Sequence, residues 1–192
     1  PQPMFTSLLV GLDGSPEAHV ALSQAILIGR QFHSRIVVAH ISPSPGHTSE
    51  MALGAPWMEW TAGHAPVTRS EHEAAAHRML EDAAGAVRRA GLEAETAWRS
   101  GDTAESLREL ANEVGVVCVG RLGNRGKAGG DALGPDLRAL IRRCPRPVLV
   151  CGSVPTPMDR VLVAYAGGPA SEGALAFAAR FAGITGAHLD VL

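Results

Sequence analysis

The sequence predicts an α/β domain with a doubly wound, parallel five-stranded sheet, followed by the opening of a second copy of the same domain. Short apolar runs alternate with amphipathic helical stretches, as strands and crossover helices do. Four of the five runs are apolar at consecutive rather than alternate positions, as strands covered on both faces are. The opening pattern of the chain also returns near its end, a sign of an internal repeat.

Ser7-Leu8-Leu9-Val10-Gly11-Leu12 reads as the first strand and runs into the turn Asp13-Gly14-Ser15-Pro16. Ser15 offers a capping oxygen, Pro16 a preset φ and Glu17 an acid in the first turn, so a helix starts here. Val20, Ala21, Ile26, Leu27 and Phe32 keep its apolar spacing to about Gln31. Arg35 to Ile41 is the second buried strand, completing a right-handed βαβ unit. Residues 43–68 are rich in Pro, Gly, Ser and Thr around Trp57 and Trp60, a stretch too long for an ordinary connection. Ser70 to about Ala90 reads as a helix with Ala74, Leu80, Ala83, Ala84 and Val87 on one face, stopped by Gly91. Glu93 to Arg99 is a weakly alternating edge strand, and Asp102 to Glu113 a helix. Gly115 to Val119 is the fourth strand. A glycine-rich loop from Gly120 to Gly134 leads to a short helix at Asp136–Arg143 and a fifth strand at Pro147–Cys151. The expected strand order is 3-2-1-4-5.

Composition narrows the function classes. The 192 residues are 46% hydrophobic and 19% charged, with a net charge of −2, a globular balance with no global attraction to nucleic acid or to an anionic membrane. No apolar run approaches the roughly 18 residues of a membrane span. The start, Pro1-Gln2-Pro3-Met4, lacks the basic and apolar regions of a secretion signal and does not begin with Met, which fits a trimmed start. Cys118, Cys144 and Cys151 lie in or beside apolar segments and match no zinc spacing, so they read as buried reduced thiols of a cytoplasmic protein. His72-Glu73-Ala74-Ala75-Ala76-His77 resembles a zinc helix but has one residue too many. Five residues turn about 500°, which leaves the imidazoles roughly 140° apart.

Val161 to Pro169 repeats the N-terminal pattern without a gap. Gly14 falls on Gly167, Pro16 on Pro169, Leu22 on Leu175 and Val38 on Val191. The expected organisation is a domain over residues 1–152, a linker over 153–158 and the start of a second domain over 159–192. One βαβ unit buries too little surface to fold alone, so a fragment of a longer two-domain protein is expected.

In an open α/β sheet, ligands bind beyond the carboxyl ends of the strands where the order reverses, here between strands one and four. Strand one ends in Asp13-Gly14-Ser15, and strand four in Gly120-Arg121-Leu122-Gly123 with Arg125 and Lys127 beyond. Glycines let backbone N–H groups wrap an anion, the basic side chains suit phosphates, and Asp13 can accept hydrogen bonds from a ribose or adenine.

The Leu12-to-Pro16 turn, Gly101-Asp102-Thr103-Ala104, the glycine loop and Cys144-Pro145-Arg146-Pro147-Val148-Leu149-Val150 resemble the universal stress protein family over residues 5–151, and again over 159–192. That resemblance implies an adenine nucleotide alpha hydrolase-like fold and a stress-response regulator that binds ATP or a relative, with or without Mg²⁺. Carried over, Asp13 contacts the adenosine beside Gly14 and Ser15, and backbone at Ala39 and His40 meets the base. Val119, Gly120 and Gly123 line the ribose and first phosphates, and Gly134 closes the phosphate nest.

Two departures stand out. Ten residues separate Gly123 from Gly134, one more than the family pattern, and Pro135 replaces the Ser or Thr that would give a hydroxyl and an N–H. The alternative is therefore a non-binding member acting as a dimerising scaffold. No catalytic group stands out, so hydrolysis, if any, is expected to be slow. The resemblance also implies pairing through residues 147–151, either as a homodimer or between domains of one chain. In the second copy Ala166 stands at the Asp13 position and Gly168 at the Ser15 position, so its site is expected to be degenerate.

Overall fold

The computed structural model describes residues 5–42, 69–123 and 133–192. The 43–68 insert and most of the glycine loop, including Arg125 and Lys127, lie outside the described residues. The chain divides into two compact units, residues 1–155 and 156–192.

The first unit runs β1 (Ser7–Gly11), α1 (Pro16–Phe32), β2 (Arg35–Ser42), α2 (Arg69–Arg89), β3 (Ala94–Ser100), α3 (Thr103–Leu110), β4 (Val116–Gly120), α4 (Pro135–Arg143) and β5 (Val148–Cys151). The strands form one parallel sheet in the order β3-β2-β1-β4-β5, as the sequence predicts. β1 is central: Leu9 pairs with Val37 on one side and with Val117 on the other. Leu8, Leu9 and Val10 are all fully buried, which explains their unbroken apolarity.

Successive strand residues face opposite layers. Leu9, Val37, Ala39, Val117 and Val119 form one cluster with Ala104 and Leu107 of α3 and with Leu137 and Leu140 of α4. The opposite face carries α1, packed on β1, β4 and β5, and α2, packed on β2 and β3.

α1 begins as expected. Ser15 Oγ accepts from Ala18 N at 3.2 Å, Pro16 occupies the first turn, and His33 closes the helix in the left-handed region at φ 53°. Its buried face is Ala18, Ala21, Leu22, Ala25, Ile28 and Gly29. Leu27, expected on that face, is 47% exposed, because the i, i+3, i+4, i+7 rhythm set by Ala18 turns it outward. In α2 the same rhythm buries Ala76 with Leu80, Ala83, Ala84 and Val87, and leaves Ala74 exposed. α3 tightens after Leu110 into a 3₁₀ turn over Ala111–Glu113.

The second unit is β6 (Arg160–Val163), α5 (Pro169–Thr185) and β7 (His188–Val191). Its two strands pair in parallel, Val161 with Leu189 and Val163 with Val191. α5 buries Ala178 and Phe181 and ends at Gly186, φ 74°.

Candidate functional site: the crevice between β1 and β4

The turn after β1 is held by its own side chains. Asp13 Oδ1 accepts from Ser15 N at 2.9 Å, and Gly14 takes φ +80°, a conformation that suits glycine. The Ser15 hydroxyl is 1% exposed and committed to the α1 cap, so its part in the crevice is to shape the turn. The turn is also tied to β2. Leu12 N donates to Ala39 O at 2.7 Å, and His40 Nδ1, in the tautomer that carries its proton there, donates to Leu12 O at 2.7 Å.

β4 ends against two neighbours. A Cβ on Gly120 would lie 2.7 Å from the carbonyl carbon of Glu17 and 2.9 Å from its oxygen, so only glycine lets the first turn of α1 sit this close. Arg121 N donates to Cys151 O at 3.1 Å, which fixes the chain as it leaves the sheet. A Cβ on Gly123 would lie 2.6 Å from Asp13 Oδ2. The two glycine-bearing segments therefore meet: the loop after β4 touches the carboxylate of the turn after β1.

The other side chains expected here divide clearly. Ala39 and Val119 are buried in the core cluster, leaving only backbone for the crevice. Along β2, Ile41 shares the face of Val37 and Ala39 and packs on that cluster, whereas His40 points to the opposite layer. Arg121 is half-buried.

Gly134 precedes α4, whose first turn lacks a side-chain cap; Pro135 takes the first helical position. The helix N-terminus thus keeps backbone N–H groups without an intrahelical partner. Asp136 in the same turn brings a negative charge that the sequence reading did not weigh. It suits the helix dipole and opposes a phosphate there.

Cys118 and Cys151 are buried as expected, whereas Cys144, at the end of α4, is half-buried. Desolvation pushes Cys151 up to about 11 and Cys118 higher still, with the neighbouring Cys151 adding to the latter. Among the described residues no group of three or more His, Cys, Asp or Glu could hold a metal. His77 instead lies 5.6 Å from Trp98, ring centre to ring centre. An open depression of about 210 Å³ lies away from the crevice, between β3 and the end of α3, lined by Glu95, Ala97, Arg99, Leu110 and Glu113 among others. No helix among the described residues is long and apolar enough to cross a membrane.

Comparison with known proteins places this architecture. The chain is 25% identical over 126 residues to the universal stress protein YxiE of Bacillus subtilis, covering 66% of this chain and 83% of that protein. A universal stress protein solved in complex with cAMP superposes with a TM-score of 0.53 at 21% identity, covering 79% of this chain and 99% of that one. The universal stress protein of Archaeoglobus fulgidus in complex with dAMP gives a TM-score of 0.53 at 19% identity, covering 78% of this chain and 99% of that one. The sequence profile of the Universal stress protein family matches residues 4–152, and the chain belongs to that family.

Proposed function

We propose that the first unit binds ATP or a related adenine nucleotide in the β1/β4 crevice and acts as a nucleotide-responsive regulator in a stress response. The observation that carries this reading is the meeting of Gly123 with the Asp13 carboxylate, a cradle that any larger residue at 123 would fill. The cAMP and dAMP complexes of two relatives with this fold support the ligand class.

In this reading Asp13 keeps its bond to Ser15 N and contacts the adenosine, Gly14 and Ser15 hold the turn, and backbone at Ala39 and His40 meets the base. Backbone at Val119, Gly120 and Gly123 receives the ribose and first phosphates. Arg121, Arg125 and Lys127 supply positive charge, and Gly134 presents the open N-terminus of α4 to the far phosphates. A bound nucleotide, with or without Mg²⁺, contributes charge that neutralises this basic loop. Any hydrolysis would be slow, and the protein's role is that of a sensor rather than an enzyme, acting in the cytoplasm.

A second reading is favoured by one specific feature. Pro135 removes an N–H at the mouth of α4 and Asp136 adds a negative charge to the same turn, so the far phosphates lose support. In that reading the unit is a scaffold that pairs through β5, whose outer edge is unpaired among the described residues, with a second chain or a second domain.

Isothermal titration of the full chain with ATP and Mg²⁺ separates the two. A Kd in the micromolar range, about −8 kcal/mol, weakened at least about tenfold by Asp13→Ala, is the expected result. No heat up to millimolar ATP from a folded chain would leave the scaffold reading, and its size in solution would then be the quantity to measure.

A further inference from the structure

The paired register of β1 and β2 ends at Gly11 opposite Ala39. One more backbone bond follows, from Leu12 N to Ala39 O at 2.7 Å, and there the chain leaves the sheet toward Asp13. The next acceptor in line is Leu12 O. In a continuing ladder it would be met by a backbone N–H of β2. Here a side chain supplies the donor: His40 Nδ1 lies 2.7 Å from Leu12 O. The carbonyl oxygen can only accept, so Nδ1 carries the proton and, in the neutral ring, Nε2 is left bare.

The bond acts on the crevice through one peptide. Leu12 O belongs to the planar unit that carries Asp13 N, so fixing the oxygen fixes the plane from which Asp13 departs. Asp13 has little freedom to spare. Its Oδ1 accepts from Ser15 N at 2.9 Å, and its Oδ2 lies where a Cβ on Gly123 would come within 2.6 Å. From α2 the turn receives ordinary contact, with Met79 Sδ 3.7 Å from where a Cβ on Gly14 would lie. His40 itself is half-buried and stands in register with Trp98 of β3. That neighbour is fixed in place: its indole Nε1 donates to Ser42 Oγ at 3.0 Å, and its ring lies 5.6 Å from that of His77.

We propose that the His40 imidazole is a positioning residue for the crevice. By holding the Leu12–Asp13 peptide it stations the Asp13 carboxylate against Gly123, and so sets the affinity for the adenosine part of a nucleotide. The choice of ligand rests on the nucleotide reading above; the placement of Asp13 does not. This role of the side chain is separate from that of the backbone at Ala39 and His40, which meets the base. It requires a donor at the Nδ1 position and nothing else of histidine, neither its charge nor its second nitrogen.

Three measurements on the full chain test it. In the unaltered protein at about pH 8, where an ordinary imidazole is neutral, the nitrogen chemical shifts of His40 should show a protonated Nδ1 and a bare Nε2. The opposite tautomer would overturn the proposal. His40→Phe keeps a ring and removes the donor, whereas His40→Asn puts an amide N–H at the Nδ1 position. Exchange of the Ser15 amide hydrogen should quicken on the order of tenfold in His40→Phe and return to within about threefold of the unaltered rate in His40→Asn. Isothermal titration should follow the same order, with His40→Phe weakening ATP and AMP alike by about tenfold, because Asp13 meets the part they share. Loss in both variants alike, in neither, or for ATP alone would overturn the proposal. If the unaltered chain takes up no nucleotide, the nucleotide reading falls, and Ser15 exchange alone decides whether His40 holds the turn. If His40→Phe does not fold, the tautomer and His40→Asn decide: unaltered exchange in His40→Asn upholds the role, and faster exchange overturns it.

Discussion

The β1-α1-β2 and β6-α5-β7 segments are two experiments on nearly one pattern. Both make a strand, a positive-φ glycine turn, a helix of 17 residues with proline in its first turn, and a parallel second strand. In the first, Leu8, Leu9 and Val10 are fully buried and seven residues of α1 are covered. In the second, Leu162 and Val191 are 66% and 54% exposed, and α5 covers only Ala178 and Phe181, the counterparts of Ala25 and Ile28. Local sequence specifies the unit; neighbouring strands and helices decide what that unit is worth. Burying a leucine side chain contributes about 2 kcal/mol only where something covers it.

The sharpest way to break this comparison is a matched pair of truncations. Leu9→Ala should cost about 3 kcal/mol or more, because it opens a cavity between α3 and the central strand. Leu162→Ala should cost under about 0.5 kcal/mol, as an exposed position does. Urea unfolding followed by tryptophan fluorescence reads the first unit alone, since Trp57, Trp60 and Trp98 all lie within residues 1–155. Far-UV circular dichroism of each variant follows the second. Equal costs for the two variants would mean that β6 is already covered.

Alkaline pH should sharpen the contrast at a smaller magnitude. Burial holds the Cys118 and Cys151 thiols protonated in the folded first unit, with Cys151 at about 11 against 9.0 for an ordinary thiol. Unfolded thiols ionise first as pH rises, so the stabilisation is intact below pH 9 and is lost as pH climbs through 11. The loss should reach about 2 kcal/mol and fall on the first unit, which holds all three cysteines. A tryptophan-detected urea midpoint that stays flat from pH 8 to 11 would contradict it.

The smallest effect concerns the two helix starts. Ser15→Ala removes the oxygen that caps α1 and should cost about 1 kcal/mol. α5 has Gly168 at that position with no side-chain cap and has nothing comparable to lose. Thermal unfolding of Ser15→Ala that matches the unaltered chain would show that Pro16 and Glu17 start α1 unaided.

By itself the sequence determined the elements and their order. Short consecutive apolar runs rich in β-branched residues and bounded by turn residues fit a strand covered on both faces, and the Ser15-Pro16-Glu17 start and the Gly91 stop are local chemistry. The glycine segments after β1 and β4 could be assigned to one crevice because a doubly wound sheet of order 3-2-1-4-5 reverses between those strands. Tertiary structure alone decided which side chains count there. That Ser15 spends its hydroxyl on a cap, that Ile41 rather than His40 shares the face of Ala39, and that Gly123 lies against Asp13 are matters of a few ångströms between segments distant in the chain. The rotation of α1 that exposes Leu27, and of α2 that exposes Ala74, was likewise set by the sheet beneath. Periodicity marks an apolar face only to within a residue, and close packing against the strands selects among the alternatives.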